Sequence, residues 1–222
     1  MNAKHLVIIP GLSSPFEEKY RSVYELLTEE ATEVRGFRSS EVLLLPGQMD
    51  NREQREGQLS LPGAISRLQN CIENLESKGQ AYRLLGLSFG SVVCLATLAE
   101  RKSLRCLEKA VVWGPSPFWS SWKAFACGEG REKLAKSTTL EDGEFFRTLA
   151  PIEYLLDKVT YPTLIAAGRE DPYCPPYFLN YLWNTAQAAG RRNIEFALVS
   201  RCAHNVNRNE PNWQESLSVV LN

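Results

Sequence analysis

The chain has 222 residues, with 25 lysines and arginines against 26 aspartates and glutamates, and 44% of its residues are hydrophobic. That is enough apolar material for one sizeable buried core, and a net charge of -1 excludes a general electrostatic draw toward nucleic acid or an anionic membrane surface. A small-molecule partner suits such a chain better than a polyanion does.

The first apolar run, Leu6 to Pro10, is too short for a secretory leader or a membrane span, so the opening residues are expected to belong to the fold. His5–Ile9 reads as a strand. Ser14-Pro15-Phe16-Glu17 then supplies a capping residue, a proline suited to the first helical position and a capping-box glutamate. A helix is expected from about Pro15, with Phe16, Tyr20, Val23, Leu27 and Ala31 on its apolar face. Glu41–Leu45 reads as a second strand, and Ile65, Leu68, Ile72 and Leu75 recur at helical spacing before a left-handed cap at Gly79. Tyr82–Leu87 is a third strand, with the helical run Ser91 to Glu100 close behind it, and Lys109–Trp113 is a fourth.

From Ser116 to about Leu156, roughly forty residues break this alternation. They are expected to form a small inserted helical cap, whose first helix starts at Ser116-Pro117 and carries Phe118, Trp122 and Phe125. Pro162–Ala167 and Ile194–Val199 complete the strands, with a second left-handed cap at Gly190 between them. Asn209 and Pro211 lead into a last helix carrying Trp213, Leu217 and Val220. Strands alternating with helices predict an α/β three-layer sandwich: one domain over residues 1–222, a mainly parallel sheet of about six strands, and helices on both faces.

Gly86-Leu87-Ser88-Phe89-Gly90 has the G-x-S-x-G pattern between a strand and a helix, the context that gives the pattern meaning. The tight turn forces the central serine into a strained conformation. Its hydroxyl is thereby raised above the sheet edge, at a helix N-terminus that favours developing negative charge. A serine hydroxyl needs a base, and the chain has only two histidines. His5 begins the first strand, at the opposite edge of the sheet. His204 follows the sixth strand by a few residues and is the candidate base. Asp171, in Gly168-Arg169-Glu170-Asp171-Pro172 after the fifth strand, is the candidate orienting acid, with Glu170 its nearest rival. For the oxyanion, Phe89 N–H is one expected donor and Leu12 N–H the other, with Gly11 and Ser13 as alternatives for the second. Trp113, Phe118 and Trp122 are candidate substrate-binding residues, although stripes of this kind also serve ordinary packing.

On these motifs the chain resembles the α/β-hydrolase superfamily over nearly its whole length. The resemblance implies a Ser-His-Asp triad working through an acyl-enzyme, no cofactor, and a cap that shapes the pocket. The chain departs from many relatives in carrying Pro10 where a histidine often precedes the oxyanion glycine, and in lacking the usual preceding antiparallel strands.

The expected reaction is hydrolysis of a small, partly apolar carboxylic ester by Ser88. The alternatives are a thioesterase acting on acyl-CoA or carrier-bound acyl chains, or a binding protein of low turnover. Two distant histidines and no paired cysteines make no metal site. The six cysteines, scattered without a C-x-x-C pair, suit reduced thiols in the cytoplasm.

Overall fold

A computed structural model describes residues 4–11, 18–45, 61–115, 151–206, 208 and 211–221. Its strands are β1 (His5–Ile9), β2 (Val42–Leu44), β3 (Tyr82–Leu87), β4 (Leu107–Trp113), β5 (Thr163–Gly168) and β6 (Ile194–Val199). Its helices are α1 (Glu18–Glu33), α2 (Leu61–Ser77), α3 (Phe89–Glu100), α4 (Ile152–Lys158), α5 (Pro176–Ala188) and α6 (Trp213–Leu221). The expected cap, residues 116–150 in particular, lies outside the described residues. Ile152–Leu156, the end of that insertion, form most of α4, and Ile152, Leu155 and Leu156 pack into the core.

The six strands form one sheet in the order β2-β1-β3-β4-β5-β6, and every neighbouring pair is parallel. Successive side chains of a strand point to opposite faces, so each central strand feeds two cores. Val7, Ile9, Leu84, Val112, Ile165 and Ala167 pack with α2, α3, α4 and α5 on one face. Leu6, Ile8, Leu85, Leu87, Val111, Trp113 and Ala166 pack with α1 and α6 on the other. This burial on both faces is why these strands stand out in the sequence as unbroken apolar runs.

The strand ends differ from expectation for local reasons. Among the described residues β2 has a neighbour on one side only; it is half-buried and shorter than Glu41–Leu45. β4 begins two residues earlier than expected, at Leu107, across an irregularity where Tyr82 pairs with Leu107 but Arg83 with Lys109. There the Glu76 carboxylate accepts N–H bonds from Arg105 and Cys106 and the Tyr82 hydroxyl proton, each at 3.0 Å. The end of α2 is thereby clipped to the starts of β3 and β4.

β1 has β2 on one side and β3 on the other, so the chain reverses direction across the sheet at β1. In open parallel sheets, a crevice for ligands opens at the carboxyl ends of the strands beside such a switch point. No described helix is long and apolar enough to cross a membrane.

Candidate active site

The elbow is built as its sequence requires. Ser88 sits between β3 and α3 with φ 53° and ψ −113°, a conformation that costs a side-chain-bearing residue about 1–3 kcal/mol. Only glycine fits on either side. A Cβ on Gly86 would come within 2.5 Å of Gly90 O, and one on Gly90 within 2.1 Å of Ile9 O. The turn is also tied down by hydrogen bonds. Ser88 N–H donates to Trp113 O at 2.8 Å, and the buried Ser91 hydroxyl lies 2.9 Å from both Gly86 O and Trp113 O.

The acid and base loops leave β5 and β6, neighbouring strands, and meet. Asp171 is 2% exposed, and each of its carboxylate oxygens has defined partners. Oδ1 accepts the N–H groups of Tyr173 at 2.7 Å and Cys174 at 2.9 Å, the pattern of an Asx turn. Oδ2 lies 2.8 Å from His204 Nδ1. Asp171 therefore serves both as a turn residue and as a partner of the histidine. Glu170, the rival acid, is exposed, and its N–H donates to Cys202 O at 2.9 Å, joining the two loops.

The His204 ring is confined further by two neighbours. Tyr173 packs against it edge-on, with ring centroids 4.9 Å apart. Gly114, at φ +61°, forms the floor: a Cβ there would stand 2.9 Å from His204 Cε1 and 3.1 Å from Asp171 Oδ2. Trp113, expected as a pocket wall, is a core residue, 1% exposed among Leu87, Val111, Ala166, Val199, Cys202 and Val206. Its indole N–H donates to the His204 backbone carbonyl at 2.7 Å.

His204 and Asp171 are thus in direct contact, and Ser88 joins them through Trp113, which is bonded to both Ser88 and His204. His5 begins β1 opposite Tyr82, the first residue of β3, whereas Ser88 follows the last. The length of the strand separates His5 from the elbow.

The β1 loop also reaches Ser88. A Cβ on Gly11 would lie 3.3 Å from Ser88 Cβ and 3.8 Å from its Oγ. Leu12 and Ser13 lie outside the described residues, as do Phe118 and Trp122. Gly11 N–H is directed to the Tyr24 hydroxyl at 3.4 Å. Phe89 directly follows Ser88 and is the first residue of α3.

Cys174 and Cys202 stand close to the acid and the base, and both are buried, with Cys202 Sγ accepting the Ser216 hydroxyl at 2.9 Å. Burial and the neighbouring Asp171 hold the Cys174 thiol well above its ordinary range, so it stays protonated and unreactive at neutral pH. Among the described residues, no group of three or more His, Cys, Asp or Glu side chains is placed to hold a metal ion.

Trp113 belongs to this site as a core residue bonded to the His204 loop and not as the expected pocket wall, and Gly114 and Tyr173 are parts of it that the sequence did not point to. The available signals were a glycine directly after a strand at the carboxyl edge, for Gly114, and closeness to the acid, for Tyr173.

No protein-family model matches the sequence, and no curated protein matches it in sequence. Solved structures do match. A bromoperoxidase from Bacillus anthracis aligns at TM-score 0.67 and 19% identity, covering 99% of this chain and 92% of its own. N-formylmaleamic acid deformylase from Pseudomonas putida S16 aligns at 0.63 and 15%, covering 100% and 92%. A monoacylglycerol lipase from Paleococcus ferrophilus aligns at 0.60 and 16%, covering 99% and 94%. Together with the all-parallel six-stranded sheet and the elbow between β3 and α3, these likenesses identify the fold of this chain as that of the α/β hydrolases.

Proposed function

We propose that this protein is a serine hydrolase that cleaves a carboxylic ester of a small, partly apolar substrate through an acyl-enzyme on Ser88. The observation that carries this reading is the 2.8 Å contact between the buried Asp171 carboxylate and His204 Nδ1, built at the same sheet edge as a strained serine elbow. A carboxylate at Nδ1 favours the tautomer with the proton on that nitrogen, which leaves the Nε2 lone pair to take the Ser88 proton.

In this mechanism Ser88 Oγ attacks the ester carbonyl as its proton passes to His204. Asp171 stabilises the imidazolium, which then gives the proton to the departing alcohol. A water molecule, activated by the same imidazole, releases the acid and regenerates the serine. Phe89 N–H, with an amide of the loop after β1, would bind the oxyanion. Leu12 is the proposed second donor, since Gly11 N–H is already directed to Tyr24. A lipase, a deformylase and a bromoperoxidase share the architecture, so the fold alone does not choose the substrate. The proposed setting is the cytoplasm, a reading that rests on six cysteines scattered through the sequence without a C-x-x-C pair.

The test is a panel of p-nitrophenyl esters of graded chain length set beside acyl-CoA thioesters. Ester turnover that drops by about 10⁴-fold in Ser88→Ala and His204→Ala, and comparably in Asp171→Asn, is the expected result. Faster turnover of the thioesters would move the assignment to a thioesterase. No turnover of any member by folded protein would favour a binding role.

A further inference from the structure

The contact with Asp171 fixes one nitrogen of the His204 ring and Tyr173 and Gly114 confine the ring itself, but the whole ring still moves with the loop that carries it. What sets the base relative to the nucleophile must act on the backbone of that loop. The His204 carbonyl accepts the Trp113 indole N–H at 2.7 Å. The Trp113 carbonyl in turn accepts Ser88 N–H at 2.8 Å and lies 2.9 Å from the Ser91 hydroxyl. One residue thus holds the nucleophile by its own main chain and the base by its side chain.

The indole is well suited to transmit position. It is fully buried at the end of a central strand, packed in one cluster with Leu87 of the elbow strand and with Val199, Cys202 and Val206 on either side of the base. A close-packed aromatic ring cannot change rotamer without opening the core, so its N–H points in one direction. The next residue, Gly114, forms the floor under the imidazole and is itself held by its N–H bond to Ala166 O at 2.8 Å.

We infer that Trp113 is a positioning residue: its indole N–H bond to the His204 carbonyl sets the base in register with Ser88. The inference rests on the Ser88-His204-Asp171 reading of the site. Misplacement of a catalytic group by a fraction of an ångström to an ångström lowers rates by up to about a hundredfold, while substrate binding made elsewhere is unaffected.

Two replacements at position 113 separate the bond from the bulk. 3-Benzothienylalanine keeps the bicyclic shape and replaces the N–H with sulfur, whereas 5-fluorotryptophan keeps both shape and N–H. Trp113→Phe is the simpler variant, and the isosteric pair decides the matter if Trp113→Phe does not fold. The readouts are the rate of fluorophosphonate labelling, kcat and KM on the best ester, and the melting temperature.

With benzothienylalanine, labelling and kcat should fall about ten- to a hundredfold with KM within about twofold of the parent, and 5-fluorotryptophan should restore both rates. Parent rates with benzothienylalanine, or a fall in melting temperature with parent rates, would overturn the inference while leaving the serine hydrolase intact. Parent protein that is folded but unlabelled at Ser88 would remove the catalytic reading itself, and the inference with it.

Discussion

Gly114 is where a single methyl group should do the most damage for its size. With φ at +61° and the His204 ring and Asp171 carboxylate within about a side-chain radius, Gly114→Ala strains the backbone and pushes the imidazole off its floor. We expect kcat to fall about a hundredfold while KM changes little, measured by steady-state ester hydrolysis. Unchanged kcat would mean that the ring is not seated there.

The proton chemistry has its own signature. Transfer of the Ser88 proton to a base should slow ester turnover in heavy water, and equal rates in the two solvents would argue against general-base catalysis. At this scale the sequence was informative wherever chemistry restricts the choice of residue. Ser88 was marked by its glycines, His204 by the scarcity of histidines, and Asp171 by its place after β5. It was uninformative about Trp113, because an aromatic at a strand end can face a core or a pocket, and its bond partner is 91 residues away.

Among the elements, the starts of β3 and β4 depend on α2 through Glu76, whose carboxylate accepts two backbone N–H groups and the Tyr82 hydroxyl. Glu76→Ala leaves those donors unmatched and should lower stability by about 2–3 kcal/mol in urea denaturation. Ester turnover by the folded variant should be that of the parent, since this clip lies at the edge opposite Ser88. A loss of turnover at full folding would show that the two edges communicate.

The strands buried on both faces could be read from the sequence to within about two residues, because a parallel strand between two helical layers keeps an apolar stretch along most of its length. Gly79 and Gly190 do take left-handed backbones, at φ +63° and +69°, after α2 and α5. The irregular start of β4 could not be read, since it depends on a carboxylate from a distant helix.

For the molecule as a whole, burial has suppressed the acidity of several core groups. Burial pushes the Cys94 thiol up to about 12 and raises Cys174 and the Tyr82 phenol, the last with help from Glu76. These groups stay neutral in the folded protein, whereas the unfolded chain begins to ionise its thiols near pH 9. Their contribution to stability is therefore complete below about pH 9 and is lost as pH rises toward the folded values. The urea midpoint should decline steadily above pH 9, and a constant midpoint up to pH 11 would contradict this.

The architecture was legible in the alternation of strands and helices, whereas the substrate was not. Recognition depends on residues that share no period and no spacing, and the same fold serves a lipase and a bromoperoxidase.

If the Ser88 hydroxyl is an activated nucleophile, it reacts with a fluorophosphonate, and peptide mass mapping of the product locates the adduct. One adduct per chain is expected, on Ser88, absent from Ser88→Ala and strongly slowed in His204→Ala. Folded protein that stays unmodified, or that carries its adduct on another residue, would contradict it.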